Sequence, residues 1–353
     1  MRLGMMLGYS GGFMQAVEEV VAGEAAGLDL AVVPEAYSFD AVSQLGFVAA
    51  RTSSIQLMSG IMQLYTRTPS LLAMTAAGLD YVSGGRFWLG LGASGPQVIE
   101  GFHGVPYDAP VGRMREVVDI CRLVWRREPS VYAGKYYRLP LPDGQGTGLG
   151  KPLKMINHPV RPRVPIVIAA IGPRNVAQAA EIAEGWQPLF FIPELAGQVW
   201  GESLARGEAR RDPELGPLDV SVSVPFAITD DPEPLLERHR AMLALYIGGM
   251  GARGRNFSND LVRRYGYERE ASLIQDLFLG GRRAEAAAAV PSALIRDTSL
   301  VGPLDHIERR LAAYAAAGVT TLLAAPLASS ADERLAALGT LRALTERVAV
   351  PQN

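Results

Sequence analysis

Short, mainly apolar runs alternate with longer stretches of helical period along almost the whole chain. The runs lie at 2–8, 28–34, 55–61, 86–92, 165–171, 185–191, 219–228 and 319–325, and each is bounded by Gly, Pro or polar residues. Runs this short, apolar on both faces, predict buried strands of a parallel sheet. Between them the helix signals carry punctuation. In "TRTPSLLAMTAAGLDYVSGGR", Thr68 suits the N-cap, Pro69 the first turn and Gly84-Gly85 the stop. Pro173, Pro232 and Pro303 open further helical patterns in the same way, where a missing N–H costs nothing.

Two stretches break the rhythm. Residues 128–163 are rich in Gly, Pro and aromatics without helical period, which predicts an excursion with room for a small hairpin. Residues 229–300 are mostly helical and read as an insertion after the seventh strand. Neither has the composition of a flexible linker, so residues 1–353 are expected to form one domain. Eight strand–helix units in one chain predict a TIM (β/α)8 barrel with insertions rather than a doubly wound sheet. In such a barrel the chemistry sits at the carboxyl ends of the strands, which directs attention to the residue just after each run.

Composition narrows the classes. The chain has 353 residues, 48% of them apolar, enough for a large core. Its 34 basic and 36 acidic residues give a net charge of −2 and are scattered, so neither a nucleic-acid nor a membrane-surface partner is expected. No apolar run reaches the roughly 18 residues of a membrane span, and the start lacks a signal-peptide pattern, which predicts a cytoplasmic protein. The single cysteine, Cys121, lies in a helical pattern and reads as a core thiol. His103, His158, His239 and His306 are far apart with no carboxylate at ligand spacing, so no metal site is expected. His239 and His306 read as exposed helix positions, and His103 as a structural or rim residue. The chain has no G-x-S-x-G elbow for covalent hydrolysis.

"GLGASGP", residues 90–96, spells G-x-G-x-x-G after a strand. A dinucleotide fingerprint also requires an acidic residue about 20 positions on at a strand end. Here Glu116 and Asp119 lie inside a helical pattern, and the match belongs to the fourth strand–helix unit, not the first. What survives is local chemistry: Gly92 and Gly95 permit close backbone approach, and the N–H groups that open the next helix can hold an anion. Gly172-Pro173 repeats the arrangement after the fifth strand. Two adjacent turns of this kind suit a phosphate-bearing ligand, or are simply well-formed strand–helix turns.

Four segments together, "GRFWLGLGASGPQVIEGFHG", "SGIMQLYTRTP", "AAIGPRNVAQAAEIAEGW" and "LVGPLDHIERRLAAYAAAGVTTLLAAP", resemble the luciferase-like superfamily over nearly the whole chain. The resemblance is to its coenzyme F420-dependent oxidoreductases of actinobacterial type, and more distantly to methylenetetrahydromethanopterin reductase and F420-dependent glucose-6-phosphate dehydrogenase. It implies a TIM barrel with the deazaflavin across its mouth, against a bulge in the third strand that contains a non-proline cis peptide, matched here by Gly60-Ile61. It further implies that Ser59, Gly60, Ile61 and Gln63 line the ring, and that Gly92, Ala93, Ser94 and Gly95 with Ile171 and Gly172 meet the cofactor phosphate. Glu35 would lie at the ring edge and assist proton movement, or else serve as a helix-start carboxylate. The family's sugar-phosphate dehydrogenases have a catalytic glutamate where this chain has Gly95, and their substrate-phosphate lysines have no convincing match, which argues against a sugar phosphate.

The resemblance therefore implies an F420-dependent oxidoreductase that passes a hydride between the deazaflavin and an unidentified organic substrate, working as a homodimer. Alternatives are a two-component monooxygenase that uses FMN and a non-catalytic flavin-binding relative. Tyr9, Tyr37 and Tyr65 follow the first three strands, placed to line a pocket or to pack at its rim.

Overall fold

A computed structural model of the chain describes residues 1–9 and 12–349. Eight parallel strands close on themselves: β1 (Arg2–Met6), β2 (Leu30–Val33), β3 (Gln56–Ser59), β4 (Phe87–Gly92), β5 (Ile166–Ala169), β6 (Gly185–Gln187), β7 (Asp219–Ile228) and β8 (Thr321–Pro326). Each falls within or largely overlaps one of the eight predicted runs. Closure follows from β8 pairing with both β7 and β1, while every other strand pairs with its neighbours in sequence.

The helices that follow these strands are α1 (Phe13–Ala25), α2 (Ala41–Arg51), α3 (Pro69–Val82), α4 (Pro110–Trp125), α5 (Pro173–Ile182), α6 (Pro193–Glu208), α7 (Leu304–Ala316) and α8 (Ala331–Ala349). Their starts obey the expected chemistry. Thr68 accepts the Leu71 N–H at 3.2 Å, and Pro69 and Pro173 occupy first turns.

Side chains alternate across each strand, so the barrel builds two cores. The larger lies between strands and helices and includes Cys121, fully buried, its thiol pushed up to about 12 by desolvation. The smaller fills the barrel with Leu30, Val32, Met58, Val167 and Leu323, flanked by Met6 and Trp88. Its floor is polar: Arg2 donates to Gln56 Oε1 at 2.6 Å and Thr321 Oγ1 at 3.0 Å, pairs with Asp219, and stacks 4.7 Å above the Trp88 ring. The amino-terminal end is thereby plugged, and the carboxyl end is left for ligands.

The excursion does carry a hairpin, Tyr132–Ala133 with Arg138–Leu139. The insertion holds five helices between Glu233 and Asp297, and ends in a short strand, Leu300–Gly302, that extends the far end of β7. A second unpredicted strand, Met62–Gln63, pairs with Leu91 and Gly92 of β4. Both are too short to show a period. His239 and His306 depart from expectation: each is half-buried rather than exposed, and desolvation pulls the His239 imidazole down to about 4.

Candidate active site

The site begins where β3 ends. The Gly60-Ile61 peptide is cis, and Ser59 Oγ donates to the Gly90 carbonyl and accepts the Gly90 N–H, both at 2.9 Å. These bonds clamp the bulge to β4. The contact is so close that a Cβ on Gly90 would stand 1.8 Å from the Ser59 oxygen, and one on Gly92 would stand 2.8 Å from the Ile61 side chain. Half-buried Ile61 thus lies against bare backbone of β4, forming a flat apolar shelf at the mouth.

Gln63 follows on the next inward position. Its Nε2 donates to the Ala36 carbonyl at 3.1 Å, and its Oε1 is buried with no partner. A buried, orphaned acceptor is costly unless a ligand N–H completes it.

Glu35 is 7% exposed and its carboxylate is fully engaged. Arg67 grips it with two nitrogens, Nη1 to Oε1 at 2.6 Å and Nη2 to Oε2 at 2.8 Å. The Ala41 N–H that opens α2 donates to Oε2 at 2.8 Å. The Arg67 guanidinium is in turn held more firmly in its charged form, chiefly by its hydrogen bonds to Glu35. These contacts have the form of the helix-start alternative, with Arg67 on both oxygens and the first amide of α2 on one of them.

The two glycine turns stand side by side, because Gly92 and Ala169 are register partners in adjacent strands. After β4, Ala93, Ser94 and Gly95 are half-buried, with Ser94 at φ 58° and its carbonyl accepting from the Tyr107 hydroxyl at 3.3 Å. After β5, Gly172 is the N-cap of α5, with no side-chain cap. Among the described residues, no group accepts a hydrogen bond from the N–H of Ala93, Ser94, Ile171 or Gly172. A Cβ on Gly172 would meet nothing within 4 Å. Open backbone donors at two adjacent strand ends, one a helix N-terminus, make an anion cradle.

Sequence reasoning passed over two cations beside this cradle. Arg264 donates to the Ile171 carbonyl at 2.6 Å from a helix of the insertion, Phe257–Arg264. Exposed Arg174 stands in the first turn of α5, where the helix dipole disfavours a positive charge unless an anion is near. That misplaced charge in "GPRN" was the available signal.

Of the three tyrosines, Tyr65 packs at the rim, donating to the Asp108 carbonyl at 2.8 Å with its ring 5.1 Å from Tyr107. Tyr9 and Tyr37, after β1 and β2, are both exposed. His103 stacks edge-on to Phe102 at 5.1 Å, with its Nε2 buried and unpartnered. Among the described residues no three His, Cys, Asp or Glu side chains gather as for a metal ion. No described helix is long and apolar enough to cross a membrane.

Known proteins share this architecture. A Mycobacterium tuberculosis protein, provisionally named a coenzyme F420-dependent oxidoreductase, is 43% identical over 344 residues, covering 96% of this chain and 99% of the relative. The structure of the coenzyme F420-dependent tetrahydromethanopterin reductase from Methanopyrus kandleri superposes with a TM-score of 0.79 at 22% identity, covering 96% of this chain and 97% of that one. The oxygenating constituent of 3,6-diketocamphane monooxygenase from Pseudomonas putida, solved with FMN, superposes at 0.65 with 16% identity, covering 99% and 98%. The family described as Luciferase-like monooxygenase matches residues 1–321, and with that span, the barrel and the 43% relative agreeing, the chain belongs to the luciferase-like family.

Proposed function

We propose that this protein is a coenzyme F420-dependent oxidoreductase that transfers a hydride between the deazaflavin and an organic substrate. The observation that carries the reading is the pair of adjacent turns with open amides, at Ala93–Ser94 and Ile171–Gly172. They supply donors for a phosphate beside a shelf shaped for a flat ring. The residues fit the group in two further respects: Gln63 Oε1 waits for an N–H, and Gly92 keeps the shelf bare. Bound there, the deazaflavin supplies the two-electron chemistry.

The chain's own residues bind and orient. Ile61 supports the ring from behind, and Gln63 fixes its polar edge. The amides after β4 and β5 hold the phosphate, the first of these turns being made by Ser94 in the left-handed region with Gly95 after it. The Glu35–Arg67 pair braces the β2 and β3 connections around the shelf. Positioning of this kind brings donor and acceptor carbons to roughly 3–3.5 Å and excludes water. The same cradle would accept the FMN phosphate, so a flavin monooxygenase is the competing reading. A cytoplasmic location accords with a single cysteine that is buried and free.

Gly172→Val tests the cradle. The Cβ position is open, so folding should be nearly unaffected, while the branched side chain screens the amides. F420 affinity should fall by about tenfold or more, with an unchanged melting temperature. A variant that binds F420 like its parent would move the phosphate elsewhere.

We also propose a homodimer through α3. Its Leu71, Met74, Tyr81 and Val82 form an exposed stripe at helical spacing, while Leu72, Ala73, Ala76 and Leu79 pack inward. Light scattering at micromolar concentration should give a dimer mass, and Met74→Glu with Tyr81→Glu should halve it. A monomeric parent contradicts this interface.

A further inference from the structure

Five aromatic rings come from different connections at the carboxyl end of the barrel. Tyr9 follows β1, Tyr37 follows β2, Phe102 follows β4, Phe190 follows β6, and Tyr246 comes from the insertion after β7. Their contacts tie them together: Tyr37 to Phe102 at 6.2 Å and Phe190 edge-on to Tyr246 at 5.4 Å. The phenols of Tyr9 and Tyr246 also respond to their surroundings. Burial, with Tyr246 and Tyr37 as neighbours, pushes the Tyr9 hydroxyl up to about 12, and burial with Tyr37 raises that of Tyr246. Yet Tyr9 is 51% exposed and Tyr37 63%. Rings that touch one another while keeping this much area open have faces to offer a ligand.

Two of the rings are presented by unusual backbone. Phe190 has φ 51°, a conformation that an aromatic residue rarely adopts, and its carbonyl is held by the Tyr265 hydroxyl at 2.7 Å. Tyr246 rides a single π-helical turn, Leu245–Gly249. That turn is pinned: Asn256 Nδ2 donates to the Tyr246 and Ile247 carbonyls at 3.0 and 2.9 Å, and Phe278 packs against the bare backbone of Gly248 and Gly249. A π turn adds a residue to the helix and re-aims its side chains, and such turns concentrate at functional sites. Here both distortions serve the same ring pair.

The chemistry of the lining is selective. Among the described residues no Lys or Arg stacks on any of the five rings. Trp186 packs outward on Trp200 of α6, so Gln187, the next residue of β6, faces the barrel interior. Its Oε1 is buried, 9% of the residue being exposed, and has no partner.

We propose that Tyr9, Tyr37, Phe102, Phe190 and Tyr246 form the substrate pocket, and that it takes an uncharged, chiefly apolar, ring-bearing molecule whose hydroxyl or carbonyl engages the phenols and Gln187. The inference rests on the functional reading above for what lies beneath the pocket. The aromatic walls supply apolar area and ring-to-ring contact, and a charged ligand would enter them without a counter-charge. Tyr246 sets specificity from the insertion, and Tyr37 covers the opening.

The test uses fluorine NMR of the whole protein with three probes of similar size, none of them a phosphate: 4'-fluoroacetophenone, 4-fluorobenzoate and 4-fluorophenylacetate. The ketone should bind about tenfold more tightly than either anion, and Tyr246→Ala should weaken it by about tenfold. Tyr37→Ala, at a position too exposed to endanger folding, should weaken it by about threefold. Either anion binding as well as the ketone, or both variants binding it like the parent, overturns the proposal. F420 titration of the same samples reads the cofactor separately. Ketone preference without F420 binding supports the pocket and sinks the cofactor reading, whereas F420 binding without ketone preference does the reverse.

Discussion

Glu35→Gln is expected to lower the stability of the protein by about 3 kcal/mol, because it leaves the Arg67 guanidinium buried without its counter-charge. Side-chain exposures of 6% for Glu35 and 13% for Arg67 mean that water cannot repair the loss. The amide keeps one acceptor, so the Ala41 N–H can still be capped, but the two-pronged grip is gone. Replacing both partners, Glu35→Leu with Arg67→Met, should recover most of that stability, since an apolar pair of similar volume often replaces a buried ion pair without loss. Urea denaturation of the two variants measures this. A proton carrier makes the opposite demand: full stability in Glu35→Gln, with turnover down by about a hundredfold or more. That outcome would return Glu35 to the chemistry and remove it from the brace.

Gly90→Ala should be still more damaging. The new methyl would have to occupy a point 1.8 Å from the Ser59 carbonyl oxygen, which is backbone and cannot swing aside. β3 and β4 must part at the bulge, breaking the paired hydrogen bonds of Ser59 Oγ. We expect about 3 kcal/mol or more of destabilisation, at the upper end for overpacking, and loss of F420 binding in whatever fraction folds. Gly46→Ala is the control: the site lies within α2, a Cβ there meets nothing within 4 Å, and alanine should stabilise by about 0.5–1 kcal/mol. Equal melting temperatures for Gly90→Ala and the parent would show that the clamp is not there.

Much of the fold is legible in the chain itself. Apolar runs reported the eight barrel strands because a strand enclosed on both faces must be apolar throughout. Proline and threonine at helix starts reported the connections because capping is local chemistry. What escaped depends on contacts between distant segments. Nothing near Glu35 announces Arg67, 32 positions on. A φ of 51° at Phe190 has no signature when the residue is not glycine, and the π turn at Tyr246 looks in sequence like a helix fraying at Gly248-Gly249. The strand Leu300–Gly302 is three residues long and exists only because β7 runs on far enough to pair with it. Barrel and cradle are therefore local in origin, while the brace and the aromatic mouth are tertiary.

The central claim, that the open amides after β4 and β5 and the shelf at Ile61 were shaped for the deazaflavin, is tested most directly by titrating the purified protein with F420 and, separately, with FMN, following fluorescence quenching. Saturable one-to-one quenching of F420, with FMN bound about a hundredfold more weakly, is the predicted result. Tight FMN binding with no response to F420 would contradict it.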